Sequence, residues 1–223
     1  MERGKLIVFE GIDGSGKSTQ FEMMCESLDR RGGEYRRLVF PQYSEPSSAL
    51  IRMYLAGEFG ENPDDVNAYA ASAFYAVDRY ASYVKEWRDY YLSGGMILAD
   101  RYASSNAIHQ ASKLPEQEQQ SFFGWLGQFE YDLMGLPVPD IVIYMDITLE
   151  AALKNMRARE KESGQAGDIH ETHSEYLTKC LHAADKAADF YAWHRIKCTE
   201  HGEMRSPEAI HSDICVLPSF RTV

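Results

Sequence analysis

The sequence GIDGSGKST at residues 11–19 matches G-x-x-x-x-G-K-[ST], the pattern of a phosphate-binding P-loop. A short apolar run at residues 6–9 precedes it and is typical of a buried parallel strand. Residues 20–30 follow it with apolar side chains at helical spacing. A strand, a glycine-rich loop and a helix therefore follow one another, and this order predicts that the loop binds a nucleoside triphosphate.

The loop pattern also assigns chemistry to single residues. Its glycines let backbone N–H groups turn toward one point, where the helix N-terminus adds partial positive charge. We expect Lys17 to reach the β- and γ-phosphates and the Ser18 hydroxyl to coordinate Mg²⁺. The residues expected to bind ATP are Gly11, Asp13, Gly14, Ser15, Gly16, Lys17, Ser18 and Thr19.

Composition limits the classes of protein that remain. The chain has 223 residues, of which 44% are hydrophobic and 26% are charged, and this predicts a single domain over residues 1–223. Its net charge of −11 argues against binding to nucleic acid or to anionic membranes. We expect no membrane span and no signal peptide. None of the four cysteines forms a C-x-x-C pair, which favours reduced thiols in a cytoplasmic protein.

Further strands and helices alternate along the chain. Strands are predicted at residues 35–40, 96–99, 141–145 and 196–199. Helices are predicted near residues 48–56, 64–92, 103–112, 116–134, 149–159, 170–191 and 207–216. The alternation predicts an α/β fold with three layers, in which helices cover both faces of a parallel sheet of about five strands. Ligands of such sheets bind at the carboxyl ends of the strands.

A second group of polar residues stands at one of these ends. Asp100, Arg101 and Tyr102 follow the strand predicted at 96–99. An acid in this position can hold Mg²⁺ or its water ligands, and the adjacent arginine can hold a phosphate through two hydrogen bonds. A charged surface turn is the alternative interpretation, and the position at a strand end favours the site.

Two other segments carry weaker signals. Tyr75 and Arg79 are four residues apart and share a helix face, where they could stack on a base and donate to it. Spacing by itself favours a buried aromatic stripe there. The basic segment at about residues 157–170, with a loop at 160–168, predicts a mobile lid over the phosphates. A solvated loop is the alternative for this segment.

Together these motifs resemble the thymidylate kinase family, whose members phosphorylate dTMP to dTDP with ATP. The resemblance covers nearly the whole chain and implies a P-loop kinase fold, with ATP as co-substrate, Mg²⁺ as cofactor and a homodimer formed partly through the long aromatic helix. The motifs that carry it are FEGIDGSGKST at 9–19, Phe40-Pro41 with Tyr43, YAVDR at 75–79, DRY at 100–102 with Ser105, Asn106 and Gln110, GLPVPD at 135–140, and the acids Asp168 and Glu171.

The resemblance also implies roles for single residues. Tyr75 would stack on thymine, Arg79 would bind a thymine carbonyl, and Arg101 would hold the acceptor phosphate. The implied catalytic residues are Lys17, Asp13, Arg101, Arg157 and Arg159. The implied dTMP-binding residues are Asp13, Phe40, Tyr43, Tyr75, Arg79, Arg101, Ser105, Asn106, His109, Gln110 and His170. The implied metal-binding residues are Ser18, Asp100, Asp13 and Glu171.

Several positions depart from the family pattern, and two of them bear directly on the expected chemistry. Many members have Tyr in place of His109, where the ring disfavours a ribose 2′-hydroxyl, so the selection between deoxyribose and ribose stays open. Some members carry a basic residue in place of Gly14, and members without it place the catalytic cation on the lid. This departure points to Arg157 or Arg159.

Other functions compete with this interpretation. Another nucleoside monophosphate kinase or a deoxynucleoside kinase would share the loop and the layers. A deoxynucleoside kinase needs a carboxylate base beside the sugar, and only Glu10 follows the first strand. A nucleotide-dependent switch without transfer activity is a third possibility, although the Asn-Lys-x-Asp run that specifies guanine is absent.

Overall fold

The computed structural model describes residues 3–60, 62–163 and 174–220. Its main sheet has five parallel strands in the order β2-β3-β1-β4-β5, which confirms the predicted parallel sheet. The strands are β1 (Lys5–Glu10), β2 (Tyr35–Val39), β3 (Met96–Asp100), β4 (Ile141–Asp146) and β5 (His194–Lys197). Strand β1 lies at the centre, and its apolar residues 6–9 are fully buried because helices cover the sheet on both sides.

Nine helices surround this sheet in the described part of the chain. They are α1 (Lys17–Arg30), α2 (Ala49–Leu55), α3 (Ala68–Ser82), α4 (Arg88–Leu92), α5 (Ser104–His109), α6 (Glu116–Gly127), α7 (Leu149–Ser163), α8 (Ser174–Phe190) and α9 (Pro207–Cys215). Short 3₁₀ turns and two π-helical turns, Tyr83–Trp87 and Gln128–Leu133, join or extend them. None of these helices is both long enough and apolar enough to cross a bilayer.

The strand order explains how the helices divide between the two faces. The connection from β1 to β2 runs in one direction along the sheet, and the later connections run in the other. Because parallel crossovers are right-handed, α1 covers one face and α2 to α8 cover the other. Helix α9 packs on α1 and completes the first layer. The connections that leave the neighbouring strands β1 and β3 therefore run in opposite directions along the sheet. The carboxyl ends of these two strands form the crevice where ligands bind in such folds.

The long helix predicted at residues 64–92 begins later than expected. Pro63–Asp65 forms a 3₁₀ turn and Val66 is extended, so α3 starts after Asn67, whose side chain accepts a hydrogen bond from the backbone of Ala70. Asparagine is a good N-cap, and this side chain sets the start of the helix. The same helical rod is interrupted at Tyr83–Trp87, where the π-helical turn contains the fully buried Trp87.

Two expectations near the C-terminal half were wrong. The loop predicted to start at residue 160 is wrong for residues 160–163, because α7 continues to Ser163, and the part of the predicted lid at 157–163 is helical. The last strand was predicted at 196–199, but β5 ends at Lys197, and Thr199–Glu200 (β6) pairs with Glu203–Met204 (β7) in an antiparallel hairpin. Asp168, His170 and Glu171 lie outside the described residues.

Candidate active site

The P-loop and the end of β3 meet at one ion pair. Parallel pairing sets Phe9 of β1 opposite Asp100 of β3, so the segments that follow both strands start from the same edge. Lys17, the first residue of α1, forms a buried ion pair with Asp100, and the Ser18 hydroxyl donates to the same carboxylate at 3.0 Å. Lys17, Ser18 and Asp100, the three residues predicted to bind the phosphates and Mg²⁺, are therefore in direct contact.

The electrostatic surroundings of Lys17 favour the binding of an anion beside it. Burial lowers the pKa of this lysine, Arg101 lowers it further, and Asp100 offsets these effects only in part. An ammonium group in such an environment gains stability from a nearby phosphate, which is also held by the backbone N–H groups at the start of α1.

The donor set at this point fits Mg²⁺. The hydroxyl of Ser18 and the carboxylate of Asp100 supply hard oxygen ligands 3.0 Å apart. No group of three or more His, Cys, Asp or Glu side chains suited to a metal occurs among the described residues. A site with two protein oxygens suits Mg²⁺, because this ion is usually completed by water and by substrate phosphates. Asp13, also predicted as a ligand, is instead hydrogen-bonded to Arg101.

A first cleft lies over the P-loop. It has a volume of about 390 Å³ and is bounded by residues 12–20. Its other walls come from α7, from the hairpin that ends at β7, from the start of α9 and from Arg101. The residues that α7, the hairpin and the segment leading into α9 contribute are Asn155, Met156, Arg159, Met204, Arg205, Pro207 and Ile210. Arg159 lines this cleft, whereas Arg157 lines neither this cleft nor the second one described below. Of the two predicted lid arginines, the structure places only Arg159 at a cleft.

Helix α7 is packed directly on the P-loop. The side-chain amide of Asn155 donates to the carbonyl oxygen of Gly14 at 2.8 Å. Gly14 has a φ of 78°, and a Cβ atom built on it would lie 2.3 Å from the carbonyl oxygen of Ala152. The basic side chain that some relatives carry in place of Gly14 therefore has no room here. Asn155 and Arg159 are four residues apart on one face of α7, so this contact also fixes the position of the arginine.

A second cleft, the acceptor cleft, lies on the other side of Asp13 and Arg101. Its volume is about 180 Å³. It is lined by Asp13, Phe40, Pro41, Tyr43, Leu55, Tyr75, Arg79, Arg101, Tyr102, Ser105, Asn106, His109 and Gln110. Every described residue that the sequence assigned to the acceptor is in this group. Pro41, Leu55 and Tyr102 were not expected as lining residues.

Arg101 and Asp13 line both clefts. The Nη2 group of Arg101 donates to Asp13 at 2.6 Å, and its Nη1 group lies 3.0 Å from Nε2 of His109. Arg101 has a φ of 69°, an uncommon conformation for a residue with a side chain, and its backbone N–H donates to the carbonyl oxygen of Phe9.

Burial opposes the charge on Arg101, but Asp13 and Glu10 raise its pKa overall. Burial likewise acts to raise the pKa of Asp13, but the neighbouring cations, Arg101 first among them, outweigh it and lower this pKa.

The contact with Arg101 indicates which ring nitrogen of a neutral His109 accepts a hydrogen bond. A guanidinium group can only donate, so Nε2 of His109 accepts the hydrogen bond. A neutral ring then carries its proton on Nδ1, which lies 3.3 Å from the hydroxyl of Tyr176 on α8. His109 is thus a polar group held between Arg101 and α8.

Two buried carboxylates lie behind the clefts, and the sequence patterns indicated no structural role for Glu10 and did not single out Glu130. Glu10 accepts hydrogen bonds from the backbone of Gly11 and from the hydroxyls of Ser104 and Ser105, and so ties the P-loop to α5. Glu130 binds the side chain of Arg79. Glu130 has no local motif that identifies it, and the serine partners of Glu10 are about 95 residues away in the sequence.

Two clefts that share an arginine and an aspartate, one of them over a P-loop, define a P-loop phosphotransferase with separate donor and acceptor sites. A family profile described as thymidylate kinase matches residues 9–210. The chain belongs to the thymidylate kinase family.

Individual relatives agree with this assignment. A thymidylate kinase of Mycobacterium tuberculosis is 31% identical over 172 residues, which cover 76% of this chain and 79% of the relative. The thymidylate kinase of Homo sapiens is 28% identical over 96% of this chain and 90% of its own length. A solved structure of thymidylate kinase from Candida albicans has a TM-score of 0.70 and covers 95% of this chain and 89% of its own. That structure is 20% identical in sequence, and its likeness concerns the fold.

The packing of α7 on the P-loop can be tested with two glycine variants. We expect Gly32→Ala to lower the free energy of unfolding by about 1–2 kcal/mol, because Gly32 has a φ of 70° with open space around it. Gly14→Ala should cost a further ~1–3 kcal/mol, because the new methyl group meets the carbonyl of Ala152. Urea denaturation without nucleotide measures both values, and equal losses would contradict the close packing.

Proposed function

We propose that this chain transfers the γ-phosphoryl group of ATP to dTMP, giving ADP and dTDP. The observation that carries the proposal is that Asp13 and Arg101 line both clefts, so a donor over the P-loop and an acceptor beside Tyr75 would meet at these residues. Membership of the thymidylate kinase family supports dTMP as the acceptor and ATP as the donor.

The chemistry needs positioning more than it needs a protein base. The acceptor phosphate is largely ionised at pH 7, because its second pKa is about 6. One of its oxygens attacks the γ-phosphorus in line, the bond to the β-phosphate oxygen breaks, and ADP leaves with that electron pair. Arg101 holds the acceptor phosphate, and Asp13 orients this arginine through the hydrogen bond between them.

On the donor side, the residues exchange partners when ATP binds. Lys17 leaves its ion pair with Asp100 to hold the β- and γ-phosphates, which frees the carboxylate. Ser18 and Asp100 would be the residues that hold Mg²⁺, directly or through water, and the ion would neutralise phosphate charge. Arg159 reaches the migrating group from α7.

A panel of acceptors tests the activity. Purified protein with ATP and Mg²⁺ should release ADP rapidly with dTMP and slowly with thymidine, dCMP, dGMP or AMP. The Lys17→Ala variant should keep its fold and lose kcat by about 10³-fold, because it lacks the cation that stabilises the transferred group. The ribose form of TMP would show whether His109 admits a 2′-hydroxyl.

The other outcomes of this panel identify the competing functions. Turnover with thymidine would establish a nucleoside kinase, and turnover with another monophosphate would change the acceptor. ATP binding without turnover of any acceptor would establish a nucleotide switch.

The catalytic cation can be identified with a matched pair of arginines. Arg159→Ala should lower kcat by about 100-fold or more and change the KM for ATP much less, because the arginine acts on the transition state. Arg157 is exposed on the same helix and lines neither cleft, so Arg157→Ala should leave both constants close to wild type. A reversed pattern, or normal kcat in both variants, would contradict this assignment.

We also propose that the protein is a cytoplasmic homodimer. Val77, Tyr80 and Val84 are large apolar residues that are 38–48% exposed, and their spacing puts them on one face of α3 and the π-helical turn after it. The resemblance to the family supports this helix as the contact surface. The four cysteines are free, as expected in a reducing compartment.

Oligomeric state tests this surface. We expect wild type to sediment as a dimer, and Val77→Glu to sediment as a monomer because it places a charge at the centre of the apolar stripe. Val138→Glu is the control, since Val138 is 48% exposed and lies in the loop before β4. A monomeric wild type, or a dimer that survives Val77→Glu, would contradict the proposal.

A further inference from the structure

Glu130 is a carboxylate that lies behind the acceptor cleft and is completely buried. It sits in the π-helical turn Gln128–Leu133 that extends α6. Its Oε2 accepts from Nε of Arg79 at 2.7 Å, and its Oε1 accepts from Nη2 of Arg79 at 2.6 Å and from Nδ2 of Asn106 at 3.0 Å. One buried acid therefore binds two of the side chains that line the cleft.

The first effect of Glu130 is on the orientation of Arg79. The two parallel hydrogen bonds use the Nε and Nη2 edge of the guanidinium and fix its plane. The Nη1 group is left as a donor for the cleft that Arg79 lines. Burial acts against the charge on Arg79, and Glu130 more than compensates and raises its pKa.

The second effect is on the orientation of Asn106. Its amide nitrogen donates to Glu130 and to the carbonyl oxygen of Ser72 at 3.3 Å, so both amide hydrogens are used. A rotation of the amide by 180° would turn its oxygen toward a carboxylate and a carbonyl, two acceptors. Glu130 therefore keeps the oxygen of Asn106 as the atom available to the cleft.

These two effects give the cleft a fixed hydrogen-bonding polarity, with a donor from Arg79 and an acceptor from Asn106. A 4-oxo pyrimidine presents a carbonyl oxygen and an N3–H group, which match this pair. A 4-amino pyrimidine presents an amino group and an unprotonated N3, which oppose it at both positions. We propose that Glu130 is the positioning residue that makes the cleft select 4-oxo over 4-amino pyrimidine monophosphates. This inference rests on the proposed function.

The variant Glu130→Gln tests the inference because it keeps the shape and removes the charge. Its amide can turn either way, so only the longer hydrogen bond to the carbonyl oxygen of Ser72 still favours one orientation of Asn106. We expect the ratio of kcat/KM for dTMP to kcat/KM for dCMP to fall by at least about 10-fold, mainly through a higher KM for dTMP. The KM for ATP should stay unchanged. A residue with a merely structural role would not move the ratio between acceptors.

The control variant is Asp140→Asn. Asp140 is also a carboxylate that holds a distant segment, since it accepts from the backbone of Leu6 at 2.8 Å, and it lies at the opposite end of the sheet. This variant should lower stability and leave the acceptor ratio at the wild-type value. Glu130→Asp is the second test variant, because it keeps the charge that Arg79 needs, and it should lower the ratio in the same direction but less.

An unchanged ratio in folded Glu130→Gln overturns the inference, as does an unchanged ratio in Glu130→Asp if only that variant folds. Failure of the proposed function is recognised separately, because wild type would then not phosphorylate dTMP at all. In that case the ratio of dissociation constants for dTMP and dCMP, measured by calorimetry in wild type and variant, tests Glu130 by itself.

Discussion

The parallel pairing of β1 with β3 is the constraint on which the site depends. Because Phe9 is opposite Asp100, the P-loop and the segment from Asp100 to Tyr102 leave the sheet at the same level and in the same direction. A shift of one residue would turn Asp100 to the other face of the sheet and separate it from Lys17. The apolar residues of β1 are buried on both sides, so packing fixes this register, and the charged contacts of the two clefts follow from it.

The elements predicted correctly from the sequence are those that show a clear pattern over several neighbouring residues. The apolar runs of β1, β3 and β4 and the caps and glycines around the helices are strong patterns, and five parallel strands were correctly expected. The hairpin of β6 and β7 was missed because strands of two residues show no periodicity. The helix was predicted to begin at Asp64, whereas the structure uses Asn67 as the cap, and both residue types are good caps.

The acceptor cleft was predicted closely because motifs on three separate segments each resembled a family site. The residues behind the clefts were not predicted. Glu130 follows an amphipathic helix, Glu10 ends a buried strand, and the hydrogen-bond partners that hold the two carboxylates are up to about a hundred residues away. Asn155 and Met204 reach the P-loop from late in the chain, and no local rule links them to it. Site residues that contact substrate can be found from motifs, whereas the residues that orient them need the tertiary structure.

The close packing of α7 and β7 on the P-loop limits where a basic side chain can be placed near the phosphate site. Helix α7 approaches until a Cβ atom at Gly14 would overlap the carbonyl of Ala152, and β7 approaches until one at Gly16 would lie 3.1 Å from the methyl group of Met204. The loop has room for phosphates along its backbone but no room for a long basic side chain of its own at residue 14. The helix that takes this space also carries Arg159, one turn beyond the asparagine that is bonded to the loop. The packing that leaves no room for a long side chain at Gly14 therefore also brings Arg159 to the cleft over the P-loop, on a helix that is hydrogen-bonded to the backbone of that loop.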